Sequence, residues 1–158
     1  MSGSPSPTCY DKALQLLARR PHFRRQLERK LLERGHGEDE VTATLERLSA
    51  EGYLDDERLA REFAAARAGR AGEGARRVRA ELERRGVATE TVSGALADTL
   101  PADDAEAAAA AATKWLRSHP PEAAALARHL DRKGFSRRGI LRVLREMGQT
   151  SPIADSEE

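Results

Sequence analysis

Three glycines, Gly35, Gly86 and Gly134, organise the apolar pattern of this chain. Four and eight residues before them stand Leu31 and Leu27, Leu82 and Val78, and Leu130 and Leu126. Six and ten residues after them stand Val41 and Leu45, Val92 and Leu96, and Ile140 and Leu144. A spacing of four puts each pair on one helix face, and the glycine supplies left-handed backbone that ends the first helix. Each unit therefore reads helix, tight turn, helix. Thr89 and Ser136 are placed to cap the second helix of the later two units, whereas RGHGEDEV in the first has a less obvious cap. Another helical stretch precedes each pair, at 11–18, 56–68 and 103–117, so the pattern predicts nine helices in three groups of three. The glycine intervals, 51 and 48 residues, suit a helical solenoid whose units bury their faces partly against neighbours. No segment alternates in the manner of a strand, and the expected class is all-α.

The paired aspartates of EGYLDDERLAREF pose the first chemical question. Tyr53 and Leu54 precede them, and Leu59 and Phe63 follow at helical spacing. One aspartate fits an N-cap and the next a first helical turn, where negative charge opposes the positive end of the dipole. Asp55 and Asp56 therefore start a helix. Catalysis would need a second group with a defined task, and a hard metal several more oxygen ligands.

Composition agrees with helices that carry long polar faces. Of 158 residues, 34% are charged and only 4% aromatic, which leaves Leu, Ala and Val to fill the core. Cys9 is the single cysteine and sits in a Pro/Ser-rich leader, so no internal disulfide forms and the cytoplasm is the default compartment. No apolar run approaches a membrane span, and MSGSPSP lacks the regions of a secretory signal. The formal charge of +1 hides an acidic end; without Asp155, Glu157 and Glu158 the chain holds 27 bases against 23 acids. Residues 19–34 and 128–145 are base-rich, which suits phosphate or acidic protein surfaces as well as a solvated face.

Other candidates do not assemble into a site. His22, His36, His119 and His129 are scattered over helix ends and turns, where surface or capping roles are expected, with no H-x-x-x-H pair and no cysteine partner. Ser4, Ser6 and Ser118 lack a nucleophile elbow, and Cys9 has no local partner that activates it. RAGRAGEGARR has no preceding strand and no following G-K-[ST], and reads as a flexible break between helices. Trp115 reads as a core anchor of the third unit or, less commonly, an exposed hot spot. No catalytic residue, metal or cofactor is expected.

With the repeat and EGYLDDERLAREF together, the chain resembles the RecX family of bacterial regulatory proteins that restrain the RecA recombinase. The span Glu51 to Gly86 carries the resemblance best, through G-Y-L-D-D, the arginine-bearing helix, the glycine break and R-x-x-x-E-L-x-x-x-G. ALQLLARRPHFRRQLERKLLERG and RKGFSRRGILRVL extend it from about Ala13 to Met147. The resemblance implies three tandem three-helix repeats in an elongated, curved helical array. It also implies binding in the groove of a RecA filament on DNA, with inhibition of ATP hydrolysis, strand exchange and filament growth. In the place of the family's frequent basic-glycine-aromatic turn stands Arg70-Ala71-Gly72-Glu73-Gly74, while Arg137 and Arg138 make the last turn unusually basic.

The resulting expectation divides the chain into a flexible leader (1–9), repeats at 10–50, 51–100 and 101–148, and a flexible acidic tail (149–158). Tyr53, Leu54, Asp55, Asp56, Gly35, Gly86 and Gly134 form the structural motif. Arg67, Arg70, Arg76, Arg77, Arg79, Lys133, Arg137 and Arg138 are the candidate partner-binding residues, acting by attraction to acidic protein surface or phosphate. Charge reversal of Arg76 and Arg77 is expected to weaken filament inhibition without unfolding. The expected partner is the RecA filament, with weak non-specific DNA contact and a monomeric protein. The competing reading is a helix-turn-helix-like DNA-binding regulator, which predicts sequence-selective duplex binding; a helical adaptor for another acidic partner is a third.

Overall fold

The computed structural model describes residues 7–149, and the leader and tail expected to be flexible lie largely outside them. The described residues form nine α-helices and no strand: α1 (Cys9–Arg19), α2 (Arg24–Leu32), α3 (Glu38–Ala50), α4 (Asp56–Arg70), α5 (Ala75–Arg84), α6 (Thr89–Thr99), α7 (Ala105–Leu116), α8 (Ala123–Lys133) and α9 (Arg137–Gln149). Of the twelve apolar positions around the anchor glycines, all are buried except Leu144, which is partly so.

The three glycine turns are built alike. Gly35, Gly86 and Gly134 have φ of 87°, 82° and 86°. The amide of the next residue reaches back five positions, His36 to the Leu31 carbonyl (3.3 Å), Val87 to Leu82 (3.1 Å) and Phe135 to Leu130 (3.2 Å). This is the Schellman arrangement, which closes a helix by satisfying carbonyls that have no partner within it.

The N-cap position of the following helix stands two residues after each glycine. Gly37 is the N-cap of α3, and Ser136 caps α9 with its hydroxyl accepting from the Gly139 amide at 3.0 Å. In the middle turn that position is Ala88, whose carbonyl accepts from Val92. Thr89 is thus already the first residue of α6 and not its cap; its hydroxyl falls one residue too late for the turn.

Two compact units divide the described residues, one within 1–62 and 81–95, the other within 63–80 and 96–158. In the first, α1, α2 and α3 pack on one another around Ala13, Leu16, Leu27, Leu31, Val41, Leu45 and Leu48. Cys9 belongs to this core. It is 1% exposed and opens α1, so the leader expected through residue 9 ends before it. Thr8 caps α1, accepting from the Asp11 amide at 3.1 Å while Asp11 accepts from the Thr8 amide at 3.3 Å. In the second unit, α7, α8 and α9 pack around Ala108, Ala112, Leu126, Leu130, Phe135, Ile140 and Val143.

Candidate interaction surface

The aspartate pair serves two helices. Asp55 is the N-cap of α4, its Oδ1 accepting from the Arg58 amide at 2.9 Å. Asp56 turns away from its own helix, and its Oδ1 accepts from the amide of Arg24, the first residue of α2, at 2.8 Å. Burial pushes the Asp56 carboxyl up, and the Arg24 amide only partly offsets this. Leu54 is buried beside this start, whereas Tyr53 is 56% exposed and contributes through its amide, which donates to the Leu48 carbonyl. A second pair, Asp103–Asp104, precedes α7, with Asp104 at its N-cap. Asp104 is buried and accepts from the Ser136 amide (2.6 Å) and hydroxyl (2.5 Å).

The expected partner-binding residues separate into two groups. Residues 74–77 engage the last four carbonyls of the α8 end in succession: Arg76 donates to Asp131 O (2.8 Å), Arg77 to Arg132 O (3.0 Å), the Gly74 amide to Lys133 O (2.8 Å) and the Arg76 amide to Gly134 O (3.2 Å). A helix leaves such carbonyls unsatisfied, and here the amino end of α5 supplies donors and opposite dipole together. Arg76 also pairs with the Asp131 carboxylate at 2.6 Å. Lys133 donates to the Ala71 carbonyl at 2.7 Å.

Glu73 is buried between Arg77 (3.0 Å) and Arg67 (3.5 Å). The Glu73 Oε2 and Arg67 Nε on the longer side complete no hydrogen bond. A Cβ on Gly74 would overlap the Gly134 carbonyl, and one on Gly134 the Arg77 amide. The glycine-rich segment is therefore a pinned joint rather than a flexible break. Four of the expected contact residues, Arg67, Arg76, Arg77 and Lys133, are held inside it, and Arg79 also has an internal partner.

The other group faces solvent. Arg70, Arg137 and Arg138 are exposed and their side chains form no hydrogen bond or ion pair among the described residues, and the same holds for Arg145. Arg137, Leu141 and Arg145 follow one another at intervals of four along α9, and Leu141 is 51% exposed. The sequence reading missed Leu141 and Arg145; the signal available was the spacing from Arg137 on a helix whose buried face was already assigned to Ile140 and Leu144.

Beside Arg70 lies an open cavity of about 410 Å³ lined by Lys114, Trp115, His129 and Lys133. Trp115 is half-buried at the edge of the core and stacks on His119, with ring centroids 4.4 Å apart. His119 is exposed, while burial, with Lys133 and Arg132 nearby, lowers the His129 pKa. His22 is buried, against the surface role expected; burial lowers its pKa, and its Nδ1 lies 2.9 Å from the Arg20 carbonyl.

Comparison with known proteins fixes the family. Residues 9–48 match the first three-helix domain of RecX and residues 55–96 the second. The regulatory protein RecX of Halorhodospira halophila is 39% identical over 138 residues, 85% of each chain. The chain belongs to the RecX family. That of Xanthomonas citri is 46% identical over 90 residues, spanning 57% of this chain and 55% of the relative. The crystal structure of RecX from Lactobacillus salivarius superposes with a TM-score of 0.78 at 20% identity, covering 89% of this chain and 95% of that one. A second crystal structure, of a regulatory protein RecX, gives 0.77 at 22% identity, with 87% and 71% covered. The RecX fold thus extends beyond the two matched domains, and the family is one of regulatory proteins. No helix among the described residues is long and apolar enough to cross a membrane.

Proposed function

We propose that this RecX protein binds the RecA filament on DNA and restrains it, inhibiting ATP hydrolysis, strand exchange and filament growth, without catalytic chemistry of its own. Membership of the family carries this reading. In its support, α9 presents Arg137, Arg138, Leu141 and Arg145 to solvent, and Arg70 stands at the rim of the Trp115 cavity. Guanidinium groups on such a strip attract acidic protein surface and phosphate, while Leu141 and the cavity offer apolar contact. The protein acts as a monomer in the cytoplasm, and its repeats at 10–50, 51–100 and 101–148 add modest contacts through effective concentration.

The test is ATP hydrolysis by the cognate RecA filament on single-stranded DNA, with this protein added substoichiometrically. Inhibition is expected, and Arg137→Glu with Arg138→Glu should weaken it at an unchanged melting temperature. No inhibition by the wild type removes the reading. Sequence-selective binding to duplex in place of salt-sensitive binding to any DNA would support a helix-turn-helix-like regulator instead.

A further inference from the structure

Among the described residues, one group of metal-capable side chains converges, and it lies in the first compact unit, whereas the α9 strip belongs to the second. Cys9 at the start of α1, His36 in the α2–α3 turn and Glu40 in the first turn of α3 bring one ligand atom each to within 4.8 Å of one another. We propose that Cys9, His36 and Glu40 form a binding site for a thiophilic divalent cation of the zinc class.

Each ligand is placed by the fold. The left-handed Gly35 and the bond from the His36 amide to Leu31 set the position of the imidazole. One Glu40 oxygen accepts from the Cys9 amide at 3.3 Å, and the other lies 3.5 Å from His36 Nδ1. The core holds the thiol, whereas the His36 and Glu40 side chains are 18% and 52% exposed and leave a path from solvent. Sulfur, imidazole nitrogen and carboxylate oxygen together favour zinc over magnesium or calcium, which prefer oxygen alone. Three protein ligands leave a fourth tetrahedral position for water.

Ligand atoms around a tetrahedral zinc lie about 3.3–3.8 Å apart, given its bond lengths. Closure therefore asks for about an ångström of movement, which the exposed carboxylate and the partly buried imidazole supply by rotation. On binding, Cys9 gives up its thiol proton to solvent and the thiolate and carboxylate balance the two positive charges, so affinity rises with pH. Burial, which raises the thiol pKa, opposes this step, and the metal's own charge drives it. The bound ion ties α1 to α3 and stabilises the first compact unit by mass action.

The test is titration of the full chain, reduced and freed of metal by chelation, with Co²⁺. A sulfur-to-cobalt charge-transfer band saturating at one equivalent is expected, with loss of the band on adding Zn²⁺ and a rise in melting temperature with either ion. Cys9→Ser should abolish the band, and His36→Gln or Glu40→Gln should weaken binding at least about tenfold. Glu40→Gln changes an exposed group and His36→Gln a partly buried one of similar polarity; both should keep the fold, which circular dichroism checks. Absence of the charge-transfer band, affinity unchanged in the variants, or one metal shared by two chains overturns the proposal.

Discussion

The compact units contain the same kind of joint, made in different ways. In the first, Gly86 sits against the second residue of α2, and a Cβ there would come 2.6 Å from Arg25 Cδ. In the second, Gly134 sits against the start of α5, and a Cβ there would strike the Arg77 backbone. A flexible side chain fills the first approach and backbone the second. The capping differs accordingly. A carboxylate, Asp56, satisfies the first amide of α2, whereas carbonyls of Lys133 and Gly134 satisfy the amides that begin α5. Asp104, the counterpart of Asp56, is thereby left to secure the start of α9. Direct helix-end contact has glycine on both sides, Gly74 and Gly134; the first joint has it on one side only, at Gly86.

The largest expected consequence of this difference lies in Arg77. Arg77→Glu removes a cap from α8 and places a second carboxylate beside buried Glu73, and should destabilise by about 3–5 kcal/mol. Arg25→Glu, at the corresponding joint, disturbs no ion pair among the described residues and should stay within about 0.5 kcal/mol. Urea denaturation measures both. Similar losses in the two variants would show the joints to be energetically alike. Charge reversal at Arg76 and Arg77 is therefore a test of folding before it is one of binding, contrary to the expectation from charge alone.

The two aspartates come next. Asp104→Ala strips a buried carboxylate from two donors and should cost about 1.5–3 kcal/mol. Asp56→Ala removes a cap at a half-buried place and should cost about 0.5–2 kcal/mol. Asp56→Asn keeps an acceptor for the Arg24 amide while removing a charge that burial disfavours, and should recover most of that loss. A cost for Asp56→Ala that matches or exceeds the cost for Asp104→Ala would reverse the assignment of the tighter bridge.

These residues also mark how far the sequence could be read. The helices and turns were legible because glycine and apolar spacing are local, and the three turns obey them with φ values within a few degrees. Asp55 was legible for the same reason. Asp56 was not, since its partner Arg24 lies 32 residues away and no local rule links a carboxylate to another helix's first amide. The internal partners of Arg67, Arg76, Arg77 and Arg79 were not legible on the same ground: charge in a sequence shows attraction but not which partner is already inside the molecule. Cys9 looked like leader because Pro and Ser precede it, yet a small thiol packs well on an apolar face.

The smallest expected effect is a pH dependence shared by the two units. His22 in the first and His129 in the second both have imidazole pKa values below the ordinary one, chiefly through burial. Between each lowered folded value and the unfolded value near about 6.5, the unfolded chain holds more protons, so stability falls as pH falls through that window. For His22 the neutral ring donates from Nδ1 to the Arg20 carbonyl, a bond that an asparagine amide can reproduce. In melting curves taken from pH 7.5 down to 5, His22→Asn should flatten part of the decline while leaving stability at pH 7.5 nearly unchanged. His129→Asn should flatten a further part, and the double variant both. A decline equally steep in both single variants would place the acid sensitivity elsewhere, whereas flattening by only one would assign it to that unit alone.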